Sequence, residues 1–342
     1  MKTFLAKKGV NLSLHTYFVT ALSYMALGLF SSLIVGLIMK TIGEQLNQAG
    51  WAGAAFFMEM GSLAMSLMGA AIGVSIAFGL NAPALVLFSA VIAGAAGSAL
   101  GGGPAGSFVA AVIAVEVGKI VSKETKVDII VTPFVTVTAG YLVAKTIGPQ
   151  ISNVMVNFGE LIMWATEQRP FVMGILVAAL MGLALTAPIS SAAIAIMLGL
   201  DGLAAGAATI GCAAQMIGFA TASFRDNGWG GWVAQGLGTS MLQVANIVKK
   251  PVILVPPTVA GMILAPIGTV VWVTSNIPEG AGMGTSGLVG QIMTFRSMGF
   301  TWETFMVVVL LHFIGPALLS LVISEWMRKR GLIQPGDMKI DY

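Results

Sequence analysis

The feature that most constrains this chain is how little charge interrupts its apolar runs. Only 9% of the 342 residues are charged, and the mean hydropathy is +0.92. About 20 consecutive apolar residues let a helix cross a bilayer, and apolar runs recur here from Leu14 to Ser324. The sequence therefore predicts an all-α, multi-pass membrane protein. A charge inside an apolar run is costly, so it becomes a candidate for function.

The apolar runs predict about ten membrane spans within a single domain, residues 1–342. They are 14–39, 54–80, 84–100, 105–118, 127–147, 171–198, 203–223, 232–248, 252–273 and 304–324. The run 281–295 is too short and too glycine-rich to cross, which predicts a re-entrant segment. Glycine runs such as Gly101–Gly103 predict broken helices, because non-helical backbone at membrane depth needs protein or a water-filled cavity around it.

The distribution of lysine and arginine predicts the orientation of the chain. Basic residues favour the cytoplasmic side, and threading the ten spans from a cytoplasmic N-terminus places four basic clusters there. These clusters are Lys2/Lys7/Lys8, Lys119/Lys123/Lys126, Lys249/Lys250 and Arg328/Lys329/Arg330. We therefore expect both termini, including the tail 328–342, to be cytoplasmic, and the protein to lie in the inner membrane.

A weak internal repeat of four spans relates residues 54–147 to residues 171–273. Residues 136–140 (TVTAG) resemble 257–261 (PTVAG), and each string follows an apolar run that ends in proline. Internal repeats are typical of transporters, in which the substrate lies at the interface of the repeats. Chance similarity among segments rich in glycine and proline is the alternative.

The strongest polar set in the sequence is Arg225-Asp226-Asn227, which lies between two apolar runs. The Arg225 guanidinium can bind an anion, and Asp226 and Asn227 can bind hydroxyl or amine groups of a solute. The alternative is an extracytoplasmic loop that adjoins an interfacial belt formed by Trp229 and Trp232.

A polar stripe follows on the next predicted helix, 232–248. Spacings of four, four and three residues place its members on one helix face: Gln235, Thr239, Gln243 and Asn246. Uncharged amides and hydroxyls suit a neutral polyol. We favour this substrate pathway over the alternative, in which the same groups only form hydrogen bonds between helices.

Other candidate polar residues flank predicted helix breaks or lie deep in apolar runs. Those near breaks are Thr186 and Ser190, beside Pro188, and Thr285, Ser286 and Gln291, in the glycine-rich segment. The acids in apolar runs are Glu59 and Glu116, either of which could carry a proton or bind a sugar hydroxyl. For Glu116, a local ion pair with Lys119 is the alternative.

The sequence predicts neither a catalytic residue nor a metal site. Cys212 is the single cysteine, and His15 and His312 have no partner at ligand spacing. Residues 282–287 match the spacing of a dinucleotide fingerprint, but no predicted strand precedes them. We therefore expect no cofactor, and no nucleic acid as a partner.

Four segments resemble the membrane component (EIIC) of the phosphotransferase system, and within it the EIIC-like, toxin-regulator branch. They are 186–191 (TAPISS), 246–251 (NIVKKP), 256–258 (PPT) and 282–291 (GMGTSGLVGQ). This resemblance implies a homodimeric sugar permease with re-entrant hairpins and a mobile transport domain. It also implies a separate cytoplasmic IIB partner that phosphorylates the sugar, since we find no IIA or IIB domain in the sequence and Cys212 is intramembrane.

The residues and the resemblance together predict a permease for a small polar solute, with a sugar as the solute that the resemblance implies. Any phosphoryl transfer would be carried out by the IIB partner. Two alternatives stay open. One is an ion-coupled secondary transporter that works without phosphorylation, with Glu59 or Glu116 as the coupling group. The other is a membrane sensor that regulates gene expression through a partner.

Overall fold

A computed structural model describes residues 2–340 of the chain, which divides into two compact units, Met1–Val154 (unit 1) and Met155–Tyr342 (unit 2). The regular structure of the described residues is helical, apart from an isolated β-bridge between Gly202 and Asn276. The predicted all-α fold is therefore confirmed.

In unit 1 the described residues form seven helices, the last of which continues into unit 2. They are α1 (Lys2–Lys7), α2 (Thr16–Gln48), α3 (Ala54–Ser66), α4 (Met68–Gly79), α5 (Ala84–Gly97), α6 (Gly103–Val121) and α7 (Asp128–Thr166). α2 contains two π-helical turns, and α3 and α4 meet at a bend of 53°.

α5 and α6 form a helical hairpin because the glycine run between them breaks the helix. Gly101 has a φ of +91°, a conformation that favours glycine. The reversal brings Gly97 so close to Gly106 that a Cβ added at Gly97 would lie 2.4 Å from the Gly106 carbonyl oxygen. Ser107 Oγ donates to the Gly94 carbonyl oxygen of the other arm at 2.8 Å. The break predicted at this glycine run is confirmed.

In unit 2 the described residues form the end of α7 and nine further helices. They are α8 (Pro170–Thr186), α9 (Ser191–Met197), α10 (Gly202–Ala222), α11 (Phe224–Val233), α12 (Val244–Lys249), α13 (Pro251–Trp272), α14 (Pro278–Ala281), α15 (Val289–Met298) and α16 (Trp302–Lys329). α10 is buried along most of its length, and its glycines and alanines let neighbouring helices approach closely. A Cβ added at Gly211, for example, would lie 2.1 Å from the Ala178 carbonyl oxygen of α8.

The two ends of α10 define two ends of unit 2. At the bridge end, Gly202 forms the β-bridge with Asn276. At the tail end, the Ala222 carbonyl oxygen accepts a hydrogen bond from Arg328 Nη2 at 3.0 Å. Because α10 has 21 residues and an α-helix rises about 1.5 Å per residue, these ends lie about 30 Å apart.

Three segments of unit 2 are hairpins, each of which returns to the end of the unit at which it began. They are hairpin 1 (170–197), hairpin 2 (224–249) and hairpin 3 (278–298). Hairpin 1 begins at the bridge end, where the Pro170 carbonyl oxygen accepts from Thr269 Oγ1 at 2.8 Å, and it leads back to Gly202. Hairpin 3 starts after Asn276 and returns to Ser297, whose Oγ lies 2.7 Å from Ser275 Oγ.

Hairpin 2 instead begins and finishes at the tail end. Asp226 Oδ1, near its start, accepts from the Gly336 N–H at 3.0 Å. Lys250 Nζ, just after its last residue, lies 2.9 Å from Asp337 Oδ2. Gly336 and Asp337 are consecutive residues, about 3.8 Å apart at Cα, so the two ends of hairpin 2 must be neighbours.

The hairpins correct the predicted count of about ten spans. Among the described residues, six helical stretches are long and apolar enough to cross a membrane, or seven with the bent pair α3–α4. The predicted spans 171–198 and 232–248 are hairpin 1 and part of hairpin 2, because breaks at 187–190 and Thr239 reverse the chain. The internal repeat is not confirmed, since its two copies contain different arrangements of helices.

Candidate functional site

The tips of the three hairpins meet beside the middle of α10. Thr186 Oγ1 of hairpin 1 lies 2.8 Å from Ser240 Oγ of hairpin 2. Thr285 Oγ1 of hairpin 3 donates to the Gly236 carbonyl oxygen of hairpin 2. The polar side chains gathered here form the tip junction, which comprises Thr186, Gln215, Ser240, Thr258, Thr285 and Ser286.

A chain of hydrogen bonds crosses the tip junction and ties two hairpins to α10 and α13. Ser240 Oγ lies 2.8 Å from Thr186 Oγ1, which in turn lies 3.3 Å from Gln215 Oε1. Gln215 Nε2 in turn donates to Thr258 Oγ1 at 2.8 Å. Thr186, Gln215 and Ser240 are at most 2% exposed. These uncharged groups therefore form a connected hydrophilic region inside an apolar bundle.

The tip of hairpin 3 reaches α10 only because glycine forms it. Gly284 has a φ of +53°, and a Cβ added to it would lie 2.7 Å from the Cys212 carbonyl carbon. The following loop brings Ser286 into the interior, where its hydroxyl has no hydrogen-bond partner among the described residues. A buried hydroxyl left unpaired is destabilising, so Ser286 is available to a bound solute.

Gln291 lies on α15, just beyond the tip of hairpin 3, and is paired with a histidine. Its Nε2 lies 3.2 Å from His312 Nδ1 on α16, and both side chains are buried. Gln291 Oε1 has no hydrogen-bond partner in the part of the chain that the structure describes. Gln291 thus offers a second free polar atom on hairpin 3.

Ser190 and Thr239 occupy the turns of hairpins 1 and 2. Ser190 lies in the turn between α8 and α9, four residues from Thr186. Thr239 is extended, with φ of −159°, and its Oγ1 accepts from the Met241 N–H at 3.1 Å. The single helix face predicted for 232–248 is therefore wrong, because π-helical, extended, 3-10 and α-helical backbone follow one another there.

The remaining members of the predicted stripe still form a chain of amides. Gln243 Nε2 donates to Gln235 Oε1, and Asn246 Nδ2 donates to Gln243 Oε1, each at 2.8 Å. The same amide groups of Gln243 and Asn246 also donate to the carbonyl oxygens of Met338 and Lys339. In this structure they bind the C-terminal residues of the chain.

Arg225, Asp226 and Asn227 lie at the tail end of unit 2, separate from the tip junction. Arg225 is exposed and lies 3.2 Å from Glu325 Oε2, and Asp226 lies 3.7 Å from Arg328. The predicted threading put this set and Lys249–Lys250 on opposite sides. That threading is wrong, because both ends of hairpin 2 contact the adjacent residues Gly336 and Asp337.

The two acids predicted from apolar runs lie in unit 1. Glu59 is exposed on α3. Glu116 is buried on α6, where its Oε1 lies 3.4 Å from Lys119 Nζ. The structure therefore shows the local ion pair that was the alternative for Glu116. Lys119 Nζ also donates to the Gly9 carbonyl oxygen at 3.1 Å.

Two buried amides that organise unit 2 were missed by the sequence analysis. Gln215 is the one amide in the small-residue helix α10, and that isolation inside an apolar run could have identified it. Asn276 donates to Thr209 Oγ1 at 2.7 Å and to the Gly290 carbonyl oxygen at 3.0 Å, which fixes the base of hairpin 3. No spacing in the sequence points to Asn276.

A comparison with known families identifies the family of the chain. The family model described as "Phosphotransferase system, EIIC" matches residues 19–340. This range includes nearly all of both units and all three hairpins, and it confirms the predicted resemblance. No curated protein sequence matches the chain.

Proposed function

The chain belongs to the EIIC family of the phosphotransferase system, and we propose that it is the permease for a small neutral solute rich in hydroxyl groups, a sugar. Its apolar helices make it a multi-pass membrane protein. The observation that carries the proposal is the tip junction, where uncharged hydroxyls and amides from three hairpins meet at the middle of an apolar bundle.

The chemistry of the tip junction favours a sugar over a charged solute. Its side chains supply both donors and acceptors, as sugar hydroxyls require, and none of the six carries a charge to compensate an ion. Ser286 Oγ and Gln291 Oε1 are buried and have no partner among the described residues. In our proposal these two atoms bind the solute directly, and Thr186, Ser240 and Thr285 exchange hairpin contacts for solute contacts.

Movement of the hairpin tips would provide access to the site. The tips are joined to one another by single hydrogen bonds between side chains or to one carbonyl oxygen, and each such bond contributes only about 1 kcal/mol net. Hairpins 1 and 3 start from the bridge end and hairpin 2 from the tail end. Separation of hairpin 2 from the other two would open the junction towards one side of the membrane.

We propose that the tail end of unit 2 faces the cytoplasm and a IIB partner. Basic residues gather at this end, and the positive-inside rule favours the cytoplasmic side for them. They are Lys249, Lys250, Arg328, Lys329, Arg330 and Lys339. The IIB partner, rather than this chain, would phosphorylate the sugar. The homodimer that family membership implies is a further part of the proposal, and light scattering of the detergent-solubilised protein tests it.

Counterflow into liposomes tests the permease function. Purified protein is reconstituted, the vesicles are loaded with one unlabelled sugar from a panel, and entry of the same radiolabelled sugar is followed. We expect saturable entry of at least one sugar. Thr285→Val, which removes the hydroxyl that joins hairpins 2 and 3, should slow entry about tenfold, as expected for the loss of about 1.4 kcal/mol.

Thr269→Val is the matched control for this experiment. Thr269 is also a buried threonine of unit 2, but its hydroxyl donates to the Pro170 carbonyl oxygen at the bridge end. Its variant should retain entry within about twofold. If folded protein admits no sugar of the panel, or if the two variants behave alike, the tip junction is not the transport site.

The buried pair Glu116–Lys119 favours a second candidate, transport coupled to protons. Glu116 is 8% exposed on a helix of unit 1, and ionisable residues within apolar helices often serve ion transfer. This candidate predicts that a proton gradient drives net accumulation of the sugar without phosphorylation, and that Glu116→Gln abolishes accumulation but leaves counterflow intact. Accumulation that is insensitive to the gradient would exclude it.

A further inference from the structure

The C-terminal segment Leu332–Ile340, the tail, packs tightly against the rest of unit 2, and six of its nine residues have no polar side chain. Ile333, Met338 and Ile340 are at most 8% exposed. Ile333 and Met338 join an apolar cluster with Phe219 and Ile253. Three side chains spaced along nine residues thus anchor the tail to the end of the bundle.

Polar side chains of hairpin 2 bind the backbone of the tail. The Met338 carbonyl oxygen accepts from Asn227 Nδ2 at 2.8 Å and from Gln243 Nε2 at 2.9 Å. Asn227 belongs to the outgoing arm of hairpin 2 and Gln243 to the returning arm. One tail carbonyl therefore connects both arms of the hairpin.

Further contacts extend this recognition along the tail. The Ile340 N–H donates to Asn227 Oδ1 at 2.8 Å, and Asn246 Nδ2 donates to the Lys339 carbonyl oxygen at 2.8 Å. The ion pair between Lys250 and Asp337 fixes the position of the tail along the hairpin. Most of these hydrogen bonds are to backbone atoms of the tail. The tail itself forms a turn, closed by hydrogen bonds from the Asp337 N–H to the Gln334 carbonyl oxygen and from the Lys339 N–H to the Gly336 carbonyl oxygen.

We propose that hairpin 2 is a binding surface for a peptide segment that contains a turn, that the chain's own tail is its resident occupant, and that the tail is a strap that docks and undocks. Apolar burial and net hydrogen bonding favour docking. Ordering of nine residues opposes docking by an amount of the same order. The docked and released tail are therefore close enough in free energy to exchange.

Release of the strap would act on the tip junction. Gln243 binds the tail, and Ser240, three residues earlier in the same 3-10 turn, binds Thr186. A docked tail connects the two arms and so holds Ser240 against hairpin 1. A released tail would free hairpin 2 to move and would open the junction towards the tail end. This part of the inference rests on the proposed transport function.

Cysteine labelling tests the docking of the tail. Met338→Cys places a thiol at a position that is 0% exposed, so a water-soluble maleimide should modify it only after the tail leaves. Gln334→Cys lies on the exposed side of the tail, so it gives the labelling rate of a thiol that docking does not protect. The native Cys212 is buried and adds little background.

Gly336→Pro should release the tail without changing any residue of hairpin 2. Gly336 has a φ of +88°, which proline cannot adopt, and its N–H donates to Asp226. We expect labelling of Met338→Cys to become about tenfold faster in this background, whereas Pro335→Ala, at the neighbouring exposed position, leaves it within about twofold. Rapid labelling of Met338→Cys in the otherwise unchanged protein would overturn the proposal, as would no effect of Gly336→Pro.

A second reporter tests whether the tail controls the tip. Ser240→Cys should also label faster when combined with Gly336→Pro, and Thr239→Cys serves in its place if the first variant does not fold. If Gly336→Pro speeds labelling of Met338→Cys but not of the cysteine at the tip of hairpin 2, the proposal that the tail is a strap is overturned. Since labelling requires no solute, a protein that admits no sugar yet passes both tests would contradict the proposed function alone.

Discussion

The helical hairpin of unit 1 turns at a glycine run, and the hairpins of unit 2 turn at a proline or at glycines, but the hydrogen bonds of their polar groups differ. In unit 1, Ser107 Oγ donates to the Gly94 carbonyl oxygen of the same hairpin. In unit 2, Thr186 reaches Ser240 of another hairpin, and Thr285 reaches Gly236 of another hairpin. The first arrangement closes a turn, whereas the second connects separate hairpins, which move apart in the proposed transport mechanism.

This difference teaches how a broken helix becomes a candidate site. Glycine permits the reversal in both units, so the break alone carries no function. A hydroxyl that forms its hydrogen bond within its own hairpin contributes only to stability. In the proposed mechanism, hydroxyls that form hydrogen bonds between hairpins contribute to stability in one state and would become free for a solute when the hairpins separate. The predictions below test this contrast.

The largest effect is expected at Gly284, where the tip of hairpin 3 packs closely against α10. Gly284→Ala adds a methyl group 2.7 Å from the Cys212 carbonyl carbon and forces alanine to a φ of +53°. Backbone strain and displacement of α10 should together cost about 2–5 kcal/mol. Unfolding in mixtures of SDS and mild detergent measures this loss, and sugar counterflow should fall with it.

Gly199→Ala is the matched control for Gly284. Gly199 has a similar φ of +59°, but no atom lies within 4 Å of the added methyl group. The control should lose only the strain, about 1–2 kcal/mol. Equal losses at the two glycines would show that the close contact between hairpin 3 and α10 contributes nothing to stability.

The next effect concerns the hydrogen bond between hairpins 1 and 2. Thr186→Val and Ser240→Ala should each destabilise the protein, and the double variant should lose less than the sum of the two. We expect a coupling free energy of about 1 kcal/mol in the double-mutant cycle. The same cycle between Ser107→Ala and Ser240→Ala should give no coupling, since these serines belong to different hydrogen bonds. Additive losses at Thr186 and Ser240 would contradict the junction.

The sequence was sufficient to predict the apolar helices and the break at Gly101, because both depend on local composition. It could not separate a crossing helix from a hairpin. Residues 232–248 have the length and hydropathy of a span, but Thr239 is extended and the chain turns back. That reversal is stabilised by Asn227 and Gln243, which bind the distant Met338 carbonyl oxygen. No local pattern in the sequence contains that contact.

The sequence predicted which types of polar group form the candidate site, but it predicted fewer of the residues themselves. Thr186 and Thr285 were found because a proline or a glycine run lay beside them. The amides Gln243 and Asn246 were also found as a polar group, yet their partners in the structure are tail carbonyl oxygens. A side-chain amide binds a sugar hydroxyl and a peptide carbonyl equally well. Its partner therefore depends on tertiary structure.

A smaller effect on stability is expected when single serines are replaced by alanine, and its sign should differ between the two units. Ser286 Oγ is buried without a partner among the described residues, so Ser286→Ala should leave stability unchanged or raise it by up to about 1 kcal/mol. It should also slow counterflow. Ser107→Ala removes a satisfied hydroxyl and should cost about 1 kcal/mol. Thermal denaturation in detergent compares them, and destabilisation by Ser286→Ala would indicate that its hydroxyl is already paired.

The smallest effect is a pH dependence in the docking of the tail on hairpin 2. The hairpin of unit 1 should show no such dependence. Burial raises the pKa of the Asp337 carboxyl, but hydrogen bonds from Lys250 and the Gln334 N–H, with the charges of Lys250 and Arg328, outweigh it. The pKa is therefore below its usual value. The ionised carboxylate stabilises docking above about pH 4, the ordinary range of aspartate, and this contribution is lost as the pH falls through the lowered pKa.

A nitroxide at Gln334→Cys reports this loss by electron paramagnetic resonance, because its mobility rises when the tail undocks. We expect mobility to increase as the pH falls below about 4, with a change in docking free energy of under about 1 kcal/mol, since the ion pair is partly exposed. Lys250→Ala should flatten the transition, whereas Asp226→Asn should keep it. A transition that survives Lys250→Ala would show that other acids at the tail end control docking, because Asp337 would then have lost its main partner.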